Sequence, residues 1–296
     1  MAEIRANLVH LGSCMWAKPP DRLVCEDAEW QAITQRMAAK GYNMILVDLG
    51  EGVRYESHPE LASEGAWSVG KLRGELARLR GLGLEPIPKM NFSTAHDIWL
   101  GKYHRMVSTP EYYRVCGDLI REAAALFDRP RFFHIGYDEE DVWNHVGHAY
   151  VALRQGELWW HDLDWFVKTV EKAGMRAWMW SDRIWEHRDE FLKRMPRSVV
   201  QSNWYYDDAF DSRAFRWPRV MNYIDLDKAG FDQIPTCSNY VTDVNAAGTV
   251  DFCRKNLLRD RLLGFLQSSW RLTTAANRKK NFDAVDQLAA AAAHGS

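Results

Sequence analysis

Two rhythms of apolar and polar residues alternate along the chain. Short, nearly continuous apolar runs fall at residues 6–12, 43–49, 84–91, 132–137, 176–181, 199–205, 232–238 and 262–268. Runs of that length suit strands buried on both faces. Between them, apolar residues recur every three or four positions, as on one face of a helix. Residues 27–41 put Trp30, Ile33 and Met37 on one side. In 68–81, Ser68 stands as an N-cap ahead of Leu72, Leu76 and Leu79. Residues 109–127 open with Thr109 as a cap and Pro110 at the first helical position, the usual start signals. Residues 158–174 and 249–260 keep the same period. The stretch 208–228 is less regular, and a short helix over Asp211–Trp217 is expected there. Gly41, Gly83, Gly174 and Gly230 each sit where a helical pattern gives way to an apolar run, the place for a left-handed C-cap.

Eight strands alternating with helices predict a closed (β/α)₈ TIM barrel, an α/β fold, with residues 1–296 as a single domain. No linker interrupts the pattern, and 296 residues suffice for such a barrel. The net charge of −2, with acids and bases interspersed, leaves no basic footprint for nucleic acid and no polybasic membrane patch. No apolar run has the length of a membrane span. Five cysteines are scattered without CxxC spacing, which speaks for free thiols in a reducing compartment rather than a disulfide framework or a zinc cluster. The start "MAEIRANLVHLG" lacks a long apolar core, so no signal peptide and a cytoplasmic location are expected.

Tryptophan, at fourteen residues, is over-represented. Core filling is the simple reading, and position decides against it. Barrel enzymes work at the C-terminal ends of the strands. Just past the eight runs come Met15 and Trp16; Asp48 and Glu51; Asn91, His96 and Trp99; Asp138, Glu139 and Trp143; Trp180, Asp182 and Trp185; Trp204, Tyr205, Tyr206 and Asp207; Asn239 and Tyr240; Gln267, Trp270 and Arg271. A polar pocket walled by aromatic rings and floored by carboxylates suits a sugar. An Asp-Glu pair at a strand end can also be a plain solvated turn; Gly136 and the surrounding aromatics weigh toward a site. Glu140 and Asp141 are expected to be solvated or to start a helix. His145 and His148 lie one helical turn apart, without a third ligand in view. No metal and no organic cofactor are expected, since no phosphate-binding glycine loop is present either.

"HIGYDEE" at 134–140 resembles the His-x-Gly-x-Asp-Glu signature of family 20 glycoside hydrolases, the β-N-acetylhexosaminidases, in which it ends the fourth barrel strand. "RYESHPELASEGAWS", "IPKMNFSTAHDIW", "WYYDD" and "GFLQSSW" resemble that family's segments after strands two, three, six and at strand eight. Departures exist: no strand-one Arg, Lys89 in place of an acid, the His one residue late, and Arg271 rather than Glu after Trp270. The resemblance implies an exo-acting, retaining glycosidase with carbohydrate as its partner. Glu139 is then the general acid/base. Asp138 steers the substrate's own 2-acetamido group, whose oxygen attacks the anomeric carbon. His96 tunes Glu139, and Tyr205 or Tyr206 holds the acetamido oxygen. Trp180, Trp204 and Trp270 wall the pocket, with Asn91, Trp143, Asp182 and Arg271 as further substrate contacts. A glycosidase of the same barrel acting on an acidic or non-acetamido sugar is the alternative, with a silent glycan-binding barrel beside it. Lys89 and Arg271 are either structural ion-pair partners or contacts for an acidic sugar.

Overall fold

The computed structural model describes residues 2–13 and 20–293. Among them, eight parallel barrel strands alternate with eight α-helices. The strands are β1 (Ile4–His10), β2 (Met44–Asp48), β3 (Glu85–Lys89), β4 (Phe132–His134), β5 (Arg176–Trp180), β6 (Val200–Ser202), β7 (Thr236–Ser238) and β8 (Gly264–Ser268). The helices are α1 (Asp27–Ala39), α2 (Val69–Gly81), α3 (Pro110–Leu126), α4 (Gly156–Lys172), α5 (Ile184–Arg194), α6 (Trp217–Lys228), α7 (Asn245–Asn256) and α8 (Arg278–Ala293). Strands pair with their chain neighbours from β1 to β6, and β8 joins β7 to β1. Bridges from Gln201 to Gln233 and from Trp204 to Thr236 close the ring. The molecule is a (β/α)₈ barrel. No helix of the described residues is long and apolar enough to cross a membrane.

Each expected strand region holds a strand. Ser68 Oγ accepts from Lys71 N at 3.1 Å and Thr109 Oγ1 from Tyr112 N at 3.3 Å, so both caps act as read. Gly41, Gly83, Gly174 and Gly230 all have φ between 76° and 88°, a conformation costly for any residue with a Cβ. Two readings need correction. Residues 211–216 form turns, and the helix of this stretch is α6, from Trp217. Pro218 sits in its first turn, where a missing N–H and a fixed φ open a helix rather than end it. The fourth strand stops at His134 instead of running to 137, because Gly136 and Tyr137 adopt φ of 70° and 72°.

The two-residue period of a strand sorts its side chains into two cores. Ala6 and Leu8, Met44 and Leu46, Ile87, Phe132, Trp178 and Trp180 fill the barrel interior. Val9, Ile45, Val47, Phe133, Ala177 and Met179 face the helices. Continuing the inward row by one step brings His10, Asp48, Lys89 and His134 side by side, in register across β1 to β4. A polar layer thus caps the apolar interior, and the mouth opens above it.

Candidate active site

The turn after β4 carries Asp138 and Glu139, and its shape follows from three residues. His134 Nδ1 accepts from Gly136 N at 3.0 Å. Asn91, beyond β3, accepts at Oδ1 from Ser93 N (3.0 Å) and Tyr137 N (3.2 Å), while its Nδ2 donates to Asp138 Oδ1 at 2.8 Å. A Cβ on Gly136 would stand 2.0 Å from Asn91 Oδ1. Only glycine therefore lets the two segments approach. Ser93 Oγ donates to the Asp138 carbonyl. Glu139 also has positive φ, 57°, and its N–H donates to Asp182 Oδ2 at 2.8 Å. The coil turns Asp138 and Glu139 to the same side.

Asp138 is buried and Glu139 is 31% exposed. His96 Nε2 lies 3.1 Å from Glu139 Oε2 and 3.6 Å from Asp138 Oδ2. Burial alone would push the imidazole pKa down. The Asp138 charge and the hydrogen bond to Glu139 outweigh that and hold it at about 9. Burial pushes Asp138 up, against the lowering influence of His96, Lys89 and Asn91. Asp182 rises to about 8, first from burial and then from the Asp138 charge. Its Oδ1 is buried without a partner among the described residues, so the proton of neutral Asp182 belongs there. The donor atoms of His96, Asp138 and Glu139 lie within 4.8 Å of one another, close enough for a cation. His96, held protonated, already supplies a positive charge to both carboxylates, and a metal would have to displace that proton.

Above the acids opens a cleft of about 560 Å³, the size of a small-ligand site. Trp180, Trp204 and Trp270 follow at two-residue steps from the inward Trp178, Ser202 and Ser268, and all three line it. Trp180 and Trp270 meet edge-on at 5.7 Å, Trp204 stacks on Tyr206 at 5.0 Å, and Tyr206 lies 6.3 Å from Trp270. The Trp180 indole N–H has no hydrogen-bond partner among the described residues. The whole arrangement hangs from the C-terminal ends of β3 to β8.

No family model matches the sequence, and no curated protein matches it. Solved structures do. The N-acetyl-β-hexosaminidase of Streptomyces plicatus superposes with a TM-score of 0.66 at 14% identity, over 96% of this chain and 63% of that one. The β-N-acetylhexosaminidase from Bacteroides fragilis gives 0.66 at 12%, over 96% and 65%. The GH20 exo-β-N-acetylglucosaminidase from Vibrio harveyi gives 0.65 at 12%, over 99% and 57%. The chain has the fold of the GH20 β-N-acetylhexosaminidase barrel. It spans less than two thirds of the length of these three proteins.

In this hexosaminidase-type barrel, Asp138, Glu139, Trp180, Asp182, Trp204, Tyr205, Tyr206, Trp270 and Arg271 converge on one cleft. Three of the expected substrate contacts lie outside the cleft. Trp143 lies on a short 3₁₀ turn outside the cleft, 84% exposed. Asn91 and His96 are buried behind the acids rather than lining the cleft, and reach a ligand only through Asp138 and Glu139. Tyr205 lines the cleft, but its hydroxyl is used in donating to Ala209 O at 2.8 Å, whereas the Tyr206 phenol stands beside Trp270. Met15 and Trp16 lie outside the described residues. Lys89 pairs with Asp48 at 2.9 Å, both fully buried.

Sequence reasoning missed a clamp beside the site. Glu140, expected to be solvated or to start a helix, has its side chain buried against Arg154. Arg154 also pairs with Asp162 at 3.3 Å, donates to Phe92 O at 2.7 Å and lies 4.3 Å over the Tyr137 ring. Thr94 N donates to Glu140 Oε1 at 2.8 Å. The network ties the loop of His96 to the turn of Glu139. Its only sequence signal was an arginine among apolar residues in "YVALRQ". Arg183, Arg216 and Arg219, also unforeseen, line the cleft.

Proposed function

We propose that the protein is a retaining glycoside hydrolase that removes a terminal β-linked N-acetylhexosamine, with the substrate's acetamido group as nucleophile. The observation that carries the reading is the adjacent Asp138 and Glu139 at the end of β4, joined by His96 beneath an aromatic cleft. The Streptomyces plicatus protein, solved with GlcNAc as product, shares the fold and supports the choice of sugar.

In this mechanism Glu139, the more exposed acid, gives its proton to the glycosidic oxygen as the bond to the anomeric carbon breaks. The acetamido oxygen forms a bond to that carbon, giving a cyclic oxazolinium. Asp138 accepts the acetamido N–H and stabilises the positive charge that develops there. Tyr206 donates to the acetamido oxygen. Glu139, now ionised, takes a proton from water as water opens the ring at the same carbon, so configuration is retained. His96 stabilises the ionised Glu139 between the two steps. Trp180, Trp204 and Trp270 stack on the sugar's apolar faces, and neutral Asp182 donates to a hydroxyl.

The test is turnover of 4-nitrophenyl β-glycosides. The N-acetylglucosaminide or N-acetylgalactosaminide should be cleaved and the plain glucoside should not. A thiazoline mimic of the cyclised intermediate should inhibit strongly, since a site built for the transition state binds its likeness best. Equal cleavage of the plain glucoside, or indifference to the thiazoline, would remove the acetamido group from the mechanism.

A further inference from the structure

The cleft also holds guanidinium groups for which this reaction has no use. Arg216 is the N-cap and Arg219 lies in the first turn of α6, an end with no side-chain cap and no acidic residue. Basic side chains are unfavourable at the positive end of a helix, and like charges three residues apart repel. Both line the cleft. Nearby Arg213 is paired with Asp211, whereas among the described residues neither Arg216 nor Arg219 lies within ion-pair distance of a carboxylate.

Arg219 is half-buried, with its guanidinium 3.5 Å over the Trp185 ring and 5.7 Å from Trp204. Trp185 and Trp204 meet edge-on at 4.3 Å, so the cation is fixed against the cleft wall rather than free in water. Burial, and then the charge of Arg216, lower its pKa, while Asp182 and Glu139 partly restore it. It therefore stands within the field of Asp182 and Glu139. A guanidinium held flat on an aromatic face keeps its hydrogen-bonding edge for a planar or tetrahedral anion. Arg271, lining the cleft near Tyr240 at 5.1 Å, adds positive charge to the same mouth.

We propose that the cleft takes sugars carrying an anionic substituent, a sulfate, phosphate or carboxylate, held by Arg219 with Arg216 beside it against the Trp185–Trp204 wall. The inference rests on the hydrolase reading for the position of the reacting ring. It deepens that reading by naming the substrate class.

The experiment compares two matched pairs. One is 4-methylumbelliferyl N-acetyl-β-glucosaminide against its 6-O-sulfate. The other is a 4-nitrophenyl N-acetyl-β-glucosaminide against the same compound with a sulfonate on the aryl ring. At least one anionic member should be the better substrate. That preference should fall about 10–100-fold in Arg219→Gln, and less in Arg219→Lys, as expected for loss of a charge-assisted contact. The pair that shows it places the anion on the sugar or on the leaving group. Neutral members cleaved as well as or better than both anionic ones would overturn the inference and leave the hydrolase reading standing. Equal losses for neutral and anionic substrates in Arg219→Gln, with a lowered melting temperature, would make Arg219 structural and overturn it too. If no glycoside is cleaved, the hydrolase reading fails, and calorimetry of N-acetylglucosamine against its 6-sulfate decides. Tighter binding of the sulfate, lost in Arg219→Gln, supports the inference; equal binding ends it.

Discussion

Two clusters of charge lie one above the other in the barrel, built from the same residue types. The lower one is the polar layer. Asp48 accepts from Lys89 Nζ at 2.9 Å and faces His10 Nδ1 at 2.8 Å, and all three are sealed from solvent. The upper one sets three carboxylates, Asp138, Glu139 and Asp182, around the single imidazolium of His96. In the lower cluster the Asp48 carboxylate meets the Lys89 ammonium and the His10 ring, and the group is closed off from the cleft. In the upper one the acids share one imidazolium, Asp182 Oδ1 has no hydrogen-bond partner among the described residues, and Glu139 reaches solvent. A buried acid signals a site when it is left partly unmatched and open on one side, and signals architecture when it is matched and closed.

The sharpest break between the two clusters is kinetic. Glu139→Gln keeps the shape and removes the proton, so turnover should fall about 10²–10⁴-fold for substrates with poor leaving groups. Activated aryl glycosides, whose leaving groups need little protonation, should lose much less. Asp138→Asn should damage both kinds alike and weaken thiazoline binding. Steady-state kinetics over a series of leaving groups separates the two. Parallel, leaving-group-independent losses would show that the two roles are wrongly divided.

Lys89→Met should do the reverse. It leaves Asp48 buried without its cation, which costs about 3–5 kcal/mol of stability. Urea unfolding should register that loss, while the leaving-group dependence of the surviving activity should stay as in the parent. A Lys89→Met protein of parental stability would mean that the lower cluster is not what holds this layer together.

The barrel was legible because its signals are local. Apolar runs, caps such as Ser68 and Thr109, and glycines such as Gly41 and Gly174 each report on a few neighbouring residues, and a barrel repeats them. The acid pair was legible for the same reason, within one short motif. What escaped depends on pairs far apart in the chain. Glu140 looks solvated in sequence, and only the fold brings Arg154 to it. Lys89 admits two roles in sequence, and only the parallel register with Asp48 and His134 settles that it faces inward. Strand count puts Asn91 and His96 beyond the third strand, and there they lie against Asp138 and Glu139. Yet distance from a strand end does not tell whether a side chain lines the cleft or supports the residue that does. Trp143 is the opposite failure, an aromatic beside the motif that the 3₁₀ turn carries out to solvent.

A smaller effect tests the aromatic side of the upper cluster. Trp270 packs against both Trp180 and Tyr206, so Trp270→Ala should weaken ligand binding by the worth of one stacked ring, about 1 kcal/mol or somewhat more. The Michaelis constant should rise several-fold, with a smaller change in the urea midpoint. An unchanged Michaelis constant with lowered stability would return the ring to the core.

The smallest expected effect, and the most specific to the upper cluster, is its response to pH. The His96 pKa of about 9 stands above the ordinary histidine value because Asp138 and Glu139 outweigh burial. Its contribution to stability is therefore full below about pH 6.5 and fades as pH rises through about 9. Asp182, raised to about 8 by burial and Asp138, acts in the same direction, since the folded state keeps a proton that the unfolded chain releases near pH 4. Both groups thus make the mouth less stable as pH rises from neutrality. Loss of the imidazolium also removes the charge that stabilises ionised Glu139, so kcat/KM should decline on the alkaline side and stand at about half its plateau near pH 9. In His96→Asn the activity should be lower throughout and this limb should disappear, and the fall of the urea midpoint between pH 7 and 9.5 should become shallower. Asp182→Asn should flatten the part of that fall near pH 8 and leave the part near pH 9. An alkaline limb that persists unchanged in His96→Asn would assign it to another group and take from His96 its part as the counter-charge of the acid pair.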